Sequence, residues 1–161
     1  MPEQFDEIIY GLDFGYNNPS ALVEIGIRDE NAYILSELYE SKLTNADLIE
    51  KLKSLIANKN APVYADAAEP QRIEEITRAG FNIHPADKSV KDGIDYVKRQ
   101  KILISPECDN AIAEFNTYKW KEDRNGNVLD EPVKFRDHLM DAMRYALYTH
   151  SKSVDPSIYL I

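Results

Sequence analysis

The sequence predicts a mixed α/β sheet, antiparallel through its first three strands and parallel in the later ones, with helices on its faces and an added β-hairpin. Three observations predict it. Three apolar, β-rich runs follow one another across short turns, helical and extended segments then alternate, and an Asn-Gly pair separates two further extended runs near the C-terminus.

Residues 7–15 (EIIYGLDFG) alternate about an apolar ribbon and read as a first strand, with Ile9, Gly11 and Asp13 on one face. After the turn GYNNPS, residues 21–27 and 33–39 complete an antiparallel meander through Arg28-Asp29-Glu30-Asn31. Thr44 and Asp47 have capping-box spacing ahead of a helical stripe at Leu48, Leu52, Leu55 and Ile56. Pro62 to Asp66 is a short buried strand with an acid at its end. Residues 70–79 form a helix, since Pro70 suits a first turn and Gly80 a C-terminal stop. Phe81 to Pro85 is the next strand, and Ser89 to Lys101 a helix with Ser89 and Asp92 in capping positions. Ile102 to Ile104 is a strand and Cys108 to Thr117 a helix. Asn125-Gly126, between YKWKEDR and NVLDEPVKF, marks a protruding hairpin over 118–135. Asp137 to Tyr148 closes the pattern as a helix. The expected division is one domain over 1–150 and a tail over 151–161, with no internal repeat.

Composition sets bounds on function. The 161 residues are 43% hydrophobic and 29% charged, enough apolar matter for one sizeable core. No apolar run approaches the ~20 residues of a spanning helix, and MPEQFDEII lacks the order of a signal peptide, so a soluble intracellular protein is expected. Cys108 stands alone, and three scattered His cannot complete a thiolate zinc site. The net charge is −9 and the pI about 4.8. Evenly spread, that charge repels nucleic acid, so DNA binding requires metal ions or a local basic face.

Asp13 lies in a strand of apolar residues and Gly, where an unpartnered carboxylate is costly to bury. Asp66 repeats the situation inside Tyr64-Ala65-Asp66-Ala67-Ala68, among small neighbours. An Asp closing a strand ordinarily caps the turn that follows, but two at the C-terminal ends of central strands sit where α/β sheets bind ligands. In the last helix, Asp137, His138 and Asp141 share one face, while Leu139, Ala142, Met143, Ala146 and Leu147 cover another. Asp137 suits an N-cap, whereas Asp141 lies a full turn inside, where capping does not account for it. His138 is open to three roles: metal ligand, water-orienting group or surface histidine. Three carboxylates from two strands and a helix describe a hard-cation site for Mg²⁺ or Mn²⁺, as one or two ions. Such ions activate water and stabilise a leaving oxygen in phosphodiester hydrolysis.

Together, YGLDFGYNNPSAL, YADAAEP, HPADKSVKDGI and DHLMDAMRYAL resemble the nuclease domain of tailed-bacteriophage terminase large subunits, in order and at compatible spacing over residues 7–150. The resemblance implies an RNase H-like (retroviral-integrase-like) fold and a metal-dependent endonuclease that cuts concatemeric viral DNA during packaging. It implies that Asp13, Asp66 and Asp141 bind metal, that His138 matches a histidine of some members, and that Asp137 and Lys88 are secondary candidates. The implied partners are double-stranded DNA, a terminase ATPase domain, the small subunit and the portal protein, with no membrane, in the host cell cytoplasm. No G-x-x-x-x-G-K-[ST] loop is present, so the expected chain is the nuclease part without the packaging motor.

Residues 87–101 and 119–136 carry local net charges of +2 and +1, against −12 on the remainder. Lys91, Lys98 and Arg99, with Lys119, Lys121 and Arg124 on the hairpin, are the candidate DNA-binding residues; an ordinary solvated surface is the plainer reading. Tyr118, Trp120 and Phe135 suit a hairpin core better than base stacking. GLDFGYNNPSA also resembles the first phosphate loop of actin-like ATPases and sugar kinases, but a chain of this length with six Gly lacks the second lobe and loop. Two further functions are compatible with the same residues: a Holliday-junction-resolvase-like nuclease of the same fold, and a non-catalytic DNA-docking module.

Overall fold

The computed structural model describes residues 1–117, 120–122, 128–132 and 137–153, the strands at 120–122 and 128–132 by backbone alone. Strands β1 (Glu7–Asp13), β2 (Ser20–Arg28) and β3 (Asn31–Glu40) form the expected antiparallel meander. Arg28 pairs with Asn31, and the two residues between them, Asp29 and Glu30, both adopt positive φ. That is the backbone of a two-residue hairpin turn whose twist matches the strands it joins, reached here without glycine.

Helix α1 (Asn45–Leu55) starts on the reciprocal Thr44–Asp47 capping box. Strand β4 (Val63–Ala65) then pairs parallel with β1, α2 (Pro70–Arg78) follows, and β5 (Ile83–Pro85) pairs parallel with β4. After α3 (Val90–Lys98), β6 (Ile102–Ile104) pairs parallel with β3 at the opposite edge. The six-stranded order is β5-β4-β1-β2-β3-β6. Helix α4 (Asp109–Thr117) leads to an antiparallel pair, β7 (Trp120–Glu122) and β8 (Val128–Pro132), and α5 (His138–Ser153) ends the described chain. The Asn125-Gly126 turn of the expected hairpin lies outside the described residues.

Alternation along β1 explains how the sheet is buried on both faces. Ile9 belongs to a core with α5, while Tyr10 and Leu12 belong to the core with Leu48 and Leu52 of α1 and Ile76 of α2. Helix α5 crosses β1, β2 and β4 and is flanked by α3 and α4. Its close approach depends on Gly11, where a Cβ would stand 1.9 Å from the carbonyl oxygen of Ala142.

The C-terminal ends of α3 and α5 lie away from where the sequence reading puts them. Helix α3 stops at Lys98, not Lys101, because Ala32 on β3 donates its N–H to the Lys101 carbonyl and draws that residue into sheet pairing. Ser89 makes no side-chain cap; both its N–H and its hydroxyl donate to the Asp87 carboxylate instead. Helix α5 continues past Tyr148 to Ser153, held there by His150, whose ring nitrogens lie 2.8 Å from the Tyr64 hydroxyl and 2.7 Å from Glu7.

Candidate active site

Leu12 and Ala65 are register partners in the parallel β1–β4 pair, so the next residues, Asp13 and Asp66, emerge side by side at the C-terminal ends of adjacent strands. The Asp66 N–H donates to the Leu12 carbonyl, which ties the two strand ends together. Beyond Asp13 the chain turns sharply, and buried Ser20 pins that turn by accepting from the Gly15 N–H and donating to the Gly15 carbonyl. Across this end lies the start of α5, with Asp137 immediately before the helix and His138 and Asp141 in its first turn. All five, with Lys88, Arg144 and Tyr145, line one cleft of about 470 Å³.

Asp13, Asp66 and Asp141 each have a basic partner. His138 Nδ1 is 3.1 Å from Asp13 Oδ2, Lys88 Nζ is 2.8 Å from Asp66 Oδ1, and Arg144 Nη2 is 3.2 Å from Asp141 Oδ1. Burial pushes the Asp13 carboxyl up to about 7; the nearby charges of Asp141 and Asp66 add to this, and His138 opposes it. Tyr145 is held protonated well above its usual range by burial and then by the same three acids. The three carboxylates thus converge on one cleft in which Asp13 is buried. The ordinary turn-capping role also holds for Asp66, whose Oδ1 accepts from the Ala68 N–H at 2.9 Å as an Asx turn.

The set is chemically suited to a hard divalent cation: all-oxygen, partly desolvated and mutually repulsive without added charge. Among the described residues no three His, Cys, Asp or Glu side chains stand ready-arranged around one ion. Mg²⁺ does not demand such a cage, since it commonly keeps several waters and takes one or two carboxylates. Asp13, Asp66 and Asp141 are the residues that would hold it.

Asp137 stands where the sequence reading puts it, immediately before α5, with its carbonyl accepting from the Asp141 N–H. Lys91 and Lys98 on α3, and Arg99 at its C-terminal cap, are exposed, but none lines the acid cleft. Lys119 and Arg124 lie outside the described residues, as do Tyr118 and Phe135, and no side chain of the hairpin is described.

Two site-building residues escape the sequence reading. Arg144 is 7% exposed, and its Nη1 donates to the carbonyls of Lys88 and Ser89 while Nη2 reaches Asp141. The signal was present: Arg144 follows Asp141 at i+3 and interrupts the apolar run from Ala142 to Leu147, and mid-helix Gly93 makes room for its stem. Glu114 of α4 is buried and accepts from the N–H groups of Leu139 and Met140, satisfying the open first turn of α5. Nothing in its local sequence marks that role.

An acid-lined cleft at the end of a mixed sheet, crossed by a helix carrying the last carboxylate, defines an RNase H-like nuclease-type domain. The chain belongs to the terminase RNase H-like domain family, whose sequence profile matches residues 13–149. It is 31% identical over 144 residues to the PBSX phage terminase large subunit of Bacillus subtilis (strain 168), a match spanning 85% of this chain and 33% of that one. It is 29% identical over 169 residues to the terminase large subunit of Bacillus phage SPP1, spanning 97% and 39%. The chain thus spans little more than a third of these relatives. The solved nuclease domain of the SPP1 large terminase, with bound Mn, superposes with a TM-score of 0.80 at 25% identity over 94% of this chain and 89% of that one.

Proposed function

We propose that this domain is a divalent-metal-dependent endodeoxyribonuclease that cuts concatemeric viral DNA during genome packaging. The observation that carries the reading is the convergence of Asp13, Asp66 and Asp141 on one cleft, where their mutual repulsion adds to burial in raising the Asp13 carboxyl. The SPP1 domain with bound Mn supports the metal assignment. When bound, Mg²⁺ or Mn²⁺ would supply Lewis acidity that polarises a phosphodiester and acidifies water. The chain's own groups do the rest: the three carboxylates fix the ion, His138 orients Asp13, Arg144 orients Asp141, and Lys88 offers a positive charge to an entering phosphate.

The proposed partners are double-stranded DNA, a terminase ATPase domain, the small subunit and the portal protein, and the proposed site of action is the host cytoplasm at the procapsid portal. Terminase relatives much longer than this chain support the first two. The net charge of −9 opposes association with a phosphate backbone, which supports targeting by such partners.

Supercoiled plasmid incubated with the domain tests the reading. Nicking with Mn²⁺ and with Mg²⁺, none with chelator, and none with Ca²⁺ alone is the expected pattern, because calcium's longer bonds and looser shell position a nucleophile poorly. Cleavage confined to four-way junctions indicates a junction resolvase, and DNA binding without nicking indicates a docking module.

A further inference from the structure

The segment that carries Lys88 is clamped from several sides. Ala86 donates its N–H to the Ala65 carbonyl, Asp87 donates its N–H to Thr149 Oγ1, and the Asp87 carboxylate pairs with Lys152. The Arg144 guanidinium holds the carbonyls of Lys88 and Ser89. The root of the Lys88 side chain is therefore fixed, and only its four-carbon stem is free to swing.

The three basic partners in the cleft differ in that freedom. Arg144 is locked by two carbonyls with its side chain 8% exposed, and His138 is 22% exposed, whereas the Lys88 side chain is 42% exposed. Asp66 does not need Lys88 for its orientation, because the Ala68 N–H already holds the same Oδ1. What Lys88 contributes to Asp66 is charge.

We propose that Lys88 is an internal stand-in cation for Asp66: a divalent ion must displace it from the carboxylate, and the displaced ammonium is released into the cleft to meet a phosphate. This inference rests on the metal-binding reading above. It couples metal loading to the appearance of a free positive charge beside the substrate path, so that the cleft gains affinity for a phosphodiester only after the ion is in place.

Titration calorimetry with Mn²⁺ alone, at fixed pH and ionic strength, tests it on the wild type, Lys88→Met and Lys91→Met. Lys91 is the control, an exposed lysine near the cleft but not lining it. Lys88→Met is expected to bind Mn²⁺ at least about threefold tighter than the wild type, the size of a partly exposed ion pair, with Lys91→Met within about 1.5-fold. Equal or weaker binding by Lys88→Met overturns the proposal, and so does equal tightening by Lys91→Met, which would make the effect one of general charge. Binding by the wild type with no gain in Lys88→Met leaves the metal reading standing and removes only this inference; no Mn²⁺ binding by any of the three removes both.

Discussion

Gly11 on β1 and Ala142 on α5 touch backbone to backbone, since a Cβ at residue 11 would lie 1.9 Å from the Ala142 carbonyl oxygen and 2.6 Å from its carbon. This contact sets how far the acids of α5 stand from Asp13, two residues further along the same face of β1. Gly11→Ala is expected to lower unfolding free energy by about 2 kcal/mol or more, because the backbone clash outweighs the small entropic gain of losing a glycine. Urea denaturation checks it; unchanged stability would mean that the helix sits on the sheet more loosely than this geometry requires.

Asp13 and Asp141 differ in what their neutralisation does to the fold. Asp13→Asn removes a buried charge that repels Asp141 and Asp66, so metal-free stability is expected to hold or rise slightly. Asp141→Asn leaves the buried Arg144 guanidinium without its carboxylate at 3.2 Å and is expected to cost about 1–3 kcal/mol, moderated by the remaining amide oxygen. Thermal melts in chelator separate the two, and the reverse order would contradict the assignment of Arg144.

Stability should also depend on pH in a definite direction. Burial raises both Asp13 and Glu114 to about 7 in the folded chain, above the ordinary 3.8 and 4.5 of the exposed groups. The folded state therefore holds more protons between these values, and stability falls as pH rises through this window. Asp47 and Asp87 act oppositely, because their hydrogen bonds hold them below the usual carboxylate range, so their contribution is lost only in stronger acid. Metal-free protein is expected to be most stable near about pH 5 and to lose on the order of 1–3 kcal/mol by about pH 7.5. Glu114→Gln should flatten that decline, keeping an oxygen for the α5 amides while removing the charge; a decline of undiminished slope would place its origin elsewhere.

The meander, the Thr44 capping box and the pairing of acids with strand ends were legible because each depends on nearest neighbours in the chain. Period and turn chemistry locate Asp13 and Asp66 without knowledge of the sheet order. The placement of β6 beside β3 was not legible, since a three-residue strand carries no mark of its partner. The same long-range pairing shortens α3 against its own helical pattern. Arg144 and Glu114 escaped for a related reason: their roles are contacts between α5 and segments 25 to 56 residues away in sequence.

DNA affinity should be weak and steeply salt-dependent, because an acidic domain can meet a polyanion only through local basic groups. Reversing Lys91, Lys98 and Arg99 together to Glu is expected to weaken duplex binding by Asp66→Asn protein at least about tenfold at low salt. Fluorescence anisotropy across a salt series measures it. Unchanged binding would move the DNA path off α3, toward the hairpin with Lys119, Lys121 and Arg124.

The proposed function stands or falls on Asp13, Asp66 and Asp141 acting as one metal-holding unit for DNA cleavage. The decisive quantity is the Mn²⁺-dependent plasmid-nicking rate of Asp13→Asn, Asp66→Asn and Asp141→Asn beside the wild type, with circular dichroism confirming that each is folded. Each folded variant is expected to lose at least about 100-fold in rate, the loss that follows when the main electrostatic stabilisation of the transition state is removed. Wild-type nicking rates in any one of the three would contradict the proposal and remove that residue from the site.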